Sequence, residues 1–183
     1  MSTDTTEALV RGFPVTVINT RPDIDTTDVL ERLDAALELI ERFSPHYFRH
    51  MRRDFARVLV QRYACRGAYF PWDHSCMVEL TFTVNRDFTP TQVAATILHE
   101  GAHARLHRLG FSLDMGDRAR QERFCRRAEI EFGEVAPDGG PVIERALATL
   151  QFEDEEVAPM IDQTLAAQRI AKVDREALRR GER

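Results

Sequence analysis

Between Thr26 and Phe43 the apolar residues Val29, Leu30, Leu33, Leu37, Ile40 and Phe43 recur at helical spacing, which predicts an amphipathic helix. Thr26, Thr27 or Asp28 can cap its start, and Ser44-Pro45 breaks it. A second short helix is expected to about Arg53. The period then falls to two. Phe55 to Tyr63 reads as a strand, Gly67 to Phe70 as a partner, and Cys76 to Val84 as the clearest strand of all. In that last segment Met77, Glu79, Thr81 and Thr83 alternate with Cys76, Val78, Leu80, Phe82 and Val84. Phe13 to Ile18 is a further short strand, preceded by a polar first dozen residues expected to be loose.

Helical spacing returns at Pro90. Thr89 suits an N-cap, Pro90 a first helical position, and Gly110 a C-terminal stop. A loop, residues 111–116, leads to a helix from about Asp117 to Gly133 and a turn at Pro137 to Pro141. The remainder reads as two or three helices. In it, Glu153 to Glu156 is a solvated acidic face and Asp174 to Arg183 a charged, frayed end. Helix, a group of strands, then helices is an α+β order rather than the alternation of a parallel α/β sheet.

The size, 183 residues, suits one domain with a real core spanning 1–183. A net charge of −5 argues against a general nucleic-acid binder, which carries a basic surplus. No segment approaches the roughly 20 apolar residues of a membrane span, and the N-terminus lacks the apolar run of a secretory signal. Cys65, Cys76 and Cys125 form no CxxC pair, so reduced thiols in a cytoplasmic protein are expected, with a metal role for one of them as the minor alternative.

The chemistry concentrates in His99-Glu100-Gly101-Ala102-His103, an HExxH sequence. Residues four apart stack one turn above each other, so His99 and His103 project from one helix face and can close on a single ion. Glu100 lies about 100° round the helix, near a water on that ion without being a ligand. A catalytic zinc keeps three protein ligands and an open position. Glu122, 19 residues after His103 in the next helix, is the leading third ligand. Glu129 is the alternative ligand or an acceptor for a ligand imidazole N–H, and Asp114 and Asp117 are further candidates. The competing reading is two half-buried histidines and a solvated Glu, with Glu122 paired to Arg126.

HEGAH followed by the Glu of QERFCRRAEIEFG resembles the gluzincin branch of the zincin metallopeptidases, which includes the small minigluzincins. The likeness covers about Pro90 to Gly133. It implies a zincin-like domain: a small, mostly antiparallel sheet packed on the active-site helix, a ligand-bearing helix after it, and a helical tail. It implies one Zn2+ on His99, His103 and Glu122, with Glu100 as general base toward a metal-activated water. It also implies a peptide or protein substrate lying along the strand Met77 to Val84 as the sheet edge. Leu106 and Leu109 stand where the metzincin pattern needs Gly and His, and Cys125 and Arg126 depart from the usual surroundings of the third ligand.

An oxyanion donor would also be needed. Tyr69 and His74 are the leading candidates, with His46 and Tyr47 available. His107 is expected to play an ordinary structural part. Tyr69, Phe70 and Trp72 are expected to pack in the core rather than line a groove. The expected function is therefore a cytoplasmic zinc metallopeptidase, with no nucleic-acid or membrane partner. The alternative is a catalytically weak or inactive zincin-scaffold protein with a binding or regulatory role.

Overall fold

The computed structural model describes residues 4–111, 117–157 and 162–181. The chain begins in a strand: β1 (Asp4–Val10) pairs antiparallel with β2 (Phe13–Asn19). From Asp4 on, the expectation of a loose first dozen residues does not hold, and residues 1–3 lie outside the described residues. Arg11 and Gly12 turn this hairpin with φ of 46° and 79°, the positive pair that a two-residue turn of matching twist requires. Arg11 is held there by Asp34, Glu38 and Glu41. Polar β1 forms because it is an outer strand with much of its length in solvent.

Helix α1 (Thr26–Phe43) follows, capped by the Asp25 side chain, which accepts from the Thr27 N–H. The cap sits one residue before the three positions expected. After Ser44, α2 (Pro45–Asp54) leads to β3 (Arg57–Gln61). Next come β4 (Gly67–Phe70) and β5 (Ser75–Glu79), then the short α3 (Leu80–Val84). The predicted strand Cys76 to Val84 is thus half right. Glu79 ends it by capping α3: its carboxylate accepts from the Phe82 N–H at 2.7 Å and from the Thr81 hydroxyl at 2.7 Å. Thr83 also donates to the Glu79 carbonyl at 2.8 Å.

The sheet order is β1-β2-β3-β5-β4. Its outer pairs are antiparallel and its inner pairs parallel, so the sheet is mixed rather than mostly antiparallel. The parallel step from β2 to β3 arises because the α1–α2 crossover intervenes. Strand β5 returns between β3 and β4, so β5 is interior and β4 is the edge at that end of the sheet, opposite β1. The sequence reading had made Met77 to Val84 the edge.

Helix α4 (Pro90–Arg108) is the centre of the molecule. Thr89 and Gln92 form a reciprocal capping box at its start, and Gly110, φ 85°, follows its end. Unlike a surface helix it is buried nearly all round, against α1, α2, α5, β4 and β5. The main core joins Val15, Val17, Val58, Val60 and Val78 of the sheet to Leu33, Leu37 and Ile40 of α1 and Ile97 and Leu98 of α4. Two approaches to α4 need glycine. A Cβ on Gly101 would stand 2.6 Å from Met51 Cγ, and one on Gly67 would stand 2.6 Å from Thr96 Cγ2 and 2.9 Å from Glu100 Oε1.

Helix α5 (Arg118–Val135) returns against α4, and α6 (Gly140–Leu150), α7 (Asp154–Val157) and α8 (Gln163–Gly181) complete the described chain. The architecture is α+β. Of the end expected to fray, the described residues to Gly181 continue α8, 182–183 lie outside the described residues, and Asp174 is itself buried, accepting from Arg21 at 3.0 Å and Arg62 at 3.1 Å. No described helix is long and apolar enough to cross a membrane.

Candidate metal centre

Helix α4 holds His99 and His103 one turn apart, with ring centroids 5.0 Å from each other. Because α4 is enclosed, the two imidazoles are 7% and 14% exposed at their side chains. Helix α5 lies against them and offers one face bearing Glu122, Cys125 and Glu129, at the three- and four-residue steps of a helical stripe.

The Glu122 carboxylate sits between the imidazoles. Its Oε2 is 3.1 Å from His99 Nε2 and its Oε1 is 3.3 Å from His103 Nε2. These Nε2 atoms and a carboxylate oxygen form a chemically suitable set for a divalent cation such as zinc. On the far side of the ring, His99 Nδ1 is 2.8 Å from Glu129 Oε1. Glu129 thus stands in the orienting position that ligand histidines commonly have behind them. It is completely buried and also accepts from Arg126 at 2.6 Å and Arg145 at 3.2 Å.

Burial opposes charge on His99, yet hydrogen bonds to Glu122 and Glu129 outweigh it and lift the ring pKa to about 10. Burial likewise works against ionised Glu122 and Glu129, but the imidazoles, and for Glu129 the two arginines, hold both below the usual carboxylate range. Glu100 is different. It lines the cleft from a buried position, and burial raises its pKa despite the nearby histidines. A carboxyl group raised in this way suits proton exchange better than permanent ionisation.

Cys125 is the residue that the sequence reading underrated. Its Sγ lies within 4.8 Å of ligand atoms on both His99 and His103. The available signal was its place three residues after Glu122, on the same face. Burial, followed by the charges of Glu122, Glu100 and Glu129, pushes its thiol pKa well above the ordinary value, so a thiolate there costs more than the Glu122 carboxylate.

His99, Glu100, His103, Glu122 and Glu129 line a cleft of about 590 Å³. Edge strand β4 forms one wall, α4 the floor and α5 the other wall, with Arg145 of α6, Val157 of α7 and Gln163 of α8 closing it. Tyr69 of β4 lines this cleft. Its hydroxyl is 2.8 Å from His74 Nδ1 and 3.0 Å from His107 Nδ1. One phenolic proton can serve only one of the two rings, so the other nitrogen donates to the oxygen. His74 and His107 therefore position Tyr69, and His74 is outside the lining.

Other candidates separate from the site. His46 is exposed, and Tyr47 donates to Glu131 at 3.2 Å; neither lines the cleft. Asp117 is exposed before α5, and Asp114 lies outside the described residues. The aromatic cluster does not pack as one core unit: Phe70 is buried, Tyr69 reaches the cleft, and Trp72 is 75% exposed while stacked on Phe70. Compared with protein-family models, curated proteins and solved structures, the chain matches none.

Proposed function

We propose that this chain is a zinc-dependent peptidase in which His99, His103 and Glu122 hold one Zn2+ and Glu100 is the general base. The observation that carries this reading is the Glu122 carboxylate, with one oxygen toward each Nε2 of the HExxH pair. A zinc ion on these ligands would supply Lewis acidity and lower the pKa of a coordinated water toward about 7. Glu100, its carboxyl in the cleft and its proton affinity raised by burial, takes the water proton and passes it to the leaving amine. Glu129 fixes the His99 ring through Nδ1 so that Nε2 keeps its lone pair toward the ion. The open edge of β4 can pair with an extended peptide, and Gly67 keeps that strand close to Glu100. Tyr69 is the donor candidate for the developing oxyanion, released from one of its histidine partners as substrate enters.

The zincin likeness belongs to the same proposal: an HExxH helix under a sheet, an edge strand along the cleft, and a carboxylate from the following helix. The experiment is cleavage of a peptide library by zinc-loaded protein, read by mass spectrometry beside Glu100→Gln. The proposal expects cleavage by the wild type and a loss of about 10²-fold or more in the variant. Equal rates in both proteins would remove Glu100 from the chemistry.

A second reading is favoured by Cys125. If its thiolate joined His99, His103 and Glu122, the ion would have four protein ligands and no open position, which is the pattern of a structural site in a binding protein. Cobalt substitution separates the two. A thiolate-to-cobalt charge-transfer band that vanishes in Cys125→Ser supports the closed site, and its absence supports the open one.

A further inference from the structure

The cleft is basic although the chain is acidic. Four arginines line it, Arg66, Arg118, Arg126 and Arg145, against the carboxyls of Glu100, Glu122 and Glu129. Two of those carboxyls are already committed. Glu122 faces the histidines, and Glu129 serves His99, Arg126 and Arg145 together. A divalent cation would make the balance more positive. The rest of the molecule has the opposite sign, since the whole chain carries a net charge of −5.

The excess gathers at one end. Arg66, just before β4, lies over the rings of Phe82 and Phe88, 5.2 and 4.4 Å from their centroids. Among the described residues no carboxylate lies within ion-pair distance of it. Burial, then repulsion from Arg145 and Arg126, works against its charge. Arg126 has a buried Nε without a hydrogen-bond partner. Two guanidinium groups thus share the single carboxylate of Glu129, Arg66 beside them has no ion pair among the described residues, and an N–H group goes unmet. An arrangement short of acceptors is completed by an oxyanion, which planar guanidinium groups can grip with paired N–H donors.

We infer that the cleft selects substrates carrying a carboxylate, received at the end formed by Arg66, Arg126 and Arg145. This deepens the peptidase reading and rests on it for the scissile bond, but the binding claim can be tested by itself. The carboxylate can come from a Glu or Asp side chain or from a peptide C-terminus. Three fluorescent peptides separate these sources: a blocked peptide with internal Glu, the same peptide with Gln, and the Gln peptide with a free C-terminal carboxylate.

Binding is measured by fluorescence anisotropy on full-length zinc-loaded Glu100→Gln, and cleavage on wild type. At least one carboxylate peptide is expected to bind about tenfold or more tightly than the blocked Gln peptide, with an advantage that shrinks as salt rises. Arg66→Gln should abolish that advantage while Arg66→Lys keeps part of it. Equal binding of all three peptides, or a preference unchanged in Arg66→Gln, overturns the inference. The two failures are distinguishable. Cleavage of Glu and Gln peptides at equal rates leaves a peptidase without this selectivity. Arg66-dependent binding without cleavage keeps the carboxylate site and removes the hydrolase. Since substitution in the peptide leaves the protein intact, the Glu-to-Gln comparison stands even if an arginine variant misfolds.

Discussion

Glu122 and Glu129 are two turns apart on one helix, and both touch His99, yet they meet opposite nitrogens of its ring. This difference assigns them different work in the proposed site. Glu122→Ala removes a ligand, so tight zinc binding should be lost. Glu129→Gln keeps the ligands and weakens only the orientation of His99, so affinity should fall by about 10- to 100-fold. Competition titration with a chromogenic chelator checks both, and a larger loss in Glu129→Gln than in Glu122→Ala would reverse the roles. A second prediction concerns the phenols. Tyr69 and Tyr47 are each raised from 10.0 to about 12, chiefly by burial. A folded-state pKa above the unfolded value favours the protonated form, so this stabilisation is present below pH 10 and is lost as pH rises through 12. Tyrosinate absorbance should show these two groups ionising late, with the Tyr69 step missing in Tyr69→Phe. Ionisation of both near pH 10 in the folded protein would contradict the burial argument.

At the scale of elements, α4 had strong local signals: Thr89-Pro90 at its start, Gly110 beyond its end, and an apolar interior between them. The HExxH pair was legible for the same reason, since helix geometry alone sets the relation of His99 to His103. Glu122 could be proposed because α5 follows and packs back. Glu129 could be named as either a ligand or an imidazole acceptor, but which of the two positions it occupies depends on the rotation of α5 about its axis, which spacing does not fix. Strands were harder. The alternation continuing through Leu80 to Val84 hid a helix start, because Glu79 reads as an outward strand residue until its carboxylate is seen capping Phe82. The edge expected at Met77 to Val84 came from the family resemblance, and it failed because β4 pairs outside β5, an order that no local pattern carries. Close packing at Gly101 gives a test of the element scale. Gly101→Ala drives a methyl group toward Met51 Cγ and should destabilise the fold by about 1–3 kcal/mol, measured by urea unfolding. Restoration of wild-type stability by shortening Met51 in the same chain would identify that contact as the cause, whereas an unchanged midpoint in Gly101→Ala would show that α2 can yield.

Across the whole molecule, the described stretches near the two ends, Asp4–Val10 and the last turns of α8, were read least well, and for related reasons. Both are polar, and polarity was taken as looseness. Hairpin pairing orders β1, while Asp174 ties α8 to Arg21 beyond β2 and to Arg62 beyond β3. Such contacts across more than a hundred residues leave no local periodicity to find. Asp174→Asn keeps the shape and removes the charge facing both arginines, so stability should drop by about 1.5–3 kcal/mol. Equilibrium denaturation measures this, and no loss would mean that solvent already satisfies Arg21 and Arg62. The α+β order itself was readable throughout, since it needs only the sequence of periods.

The central claim is that His99, His103 and Glu122 together form a cation site. Metal analysis by mass spectrometry on protein purified without chelator, beside Glu122→Ala prepared in the same way, tests it most directly. The account predicts close to one equivalent of zinc in the wild type and a large loss in the variant whose fold is verified by circular dichroism. Wild-type protein without zinc, or a folded Glu122→Ala that keeps a full equivalent, would contradict it.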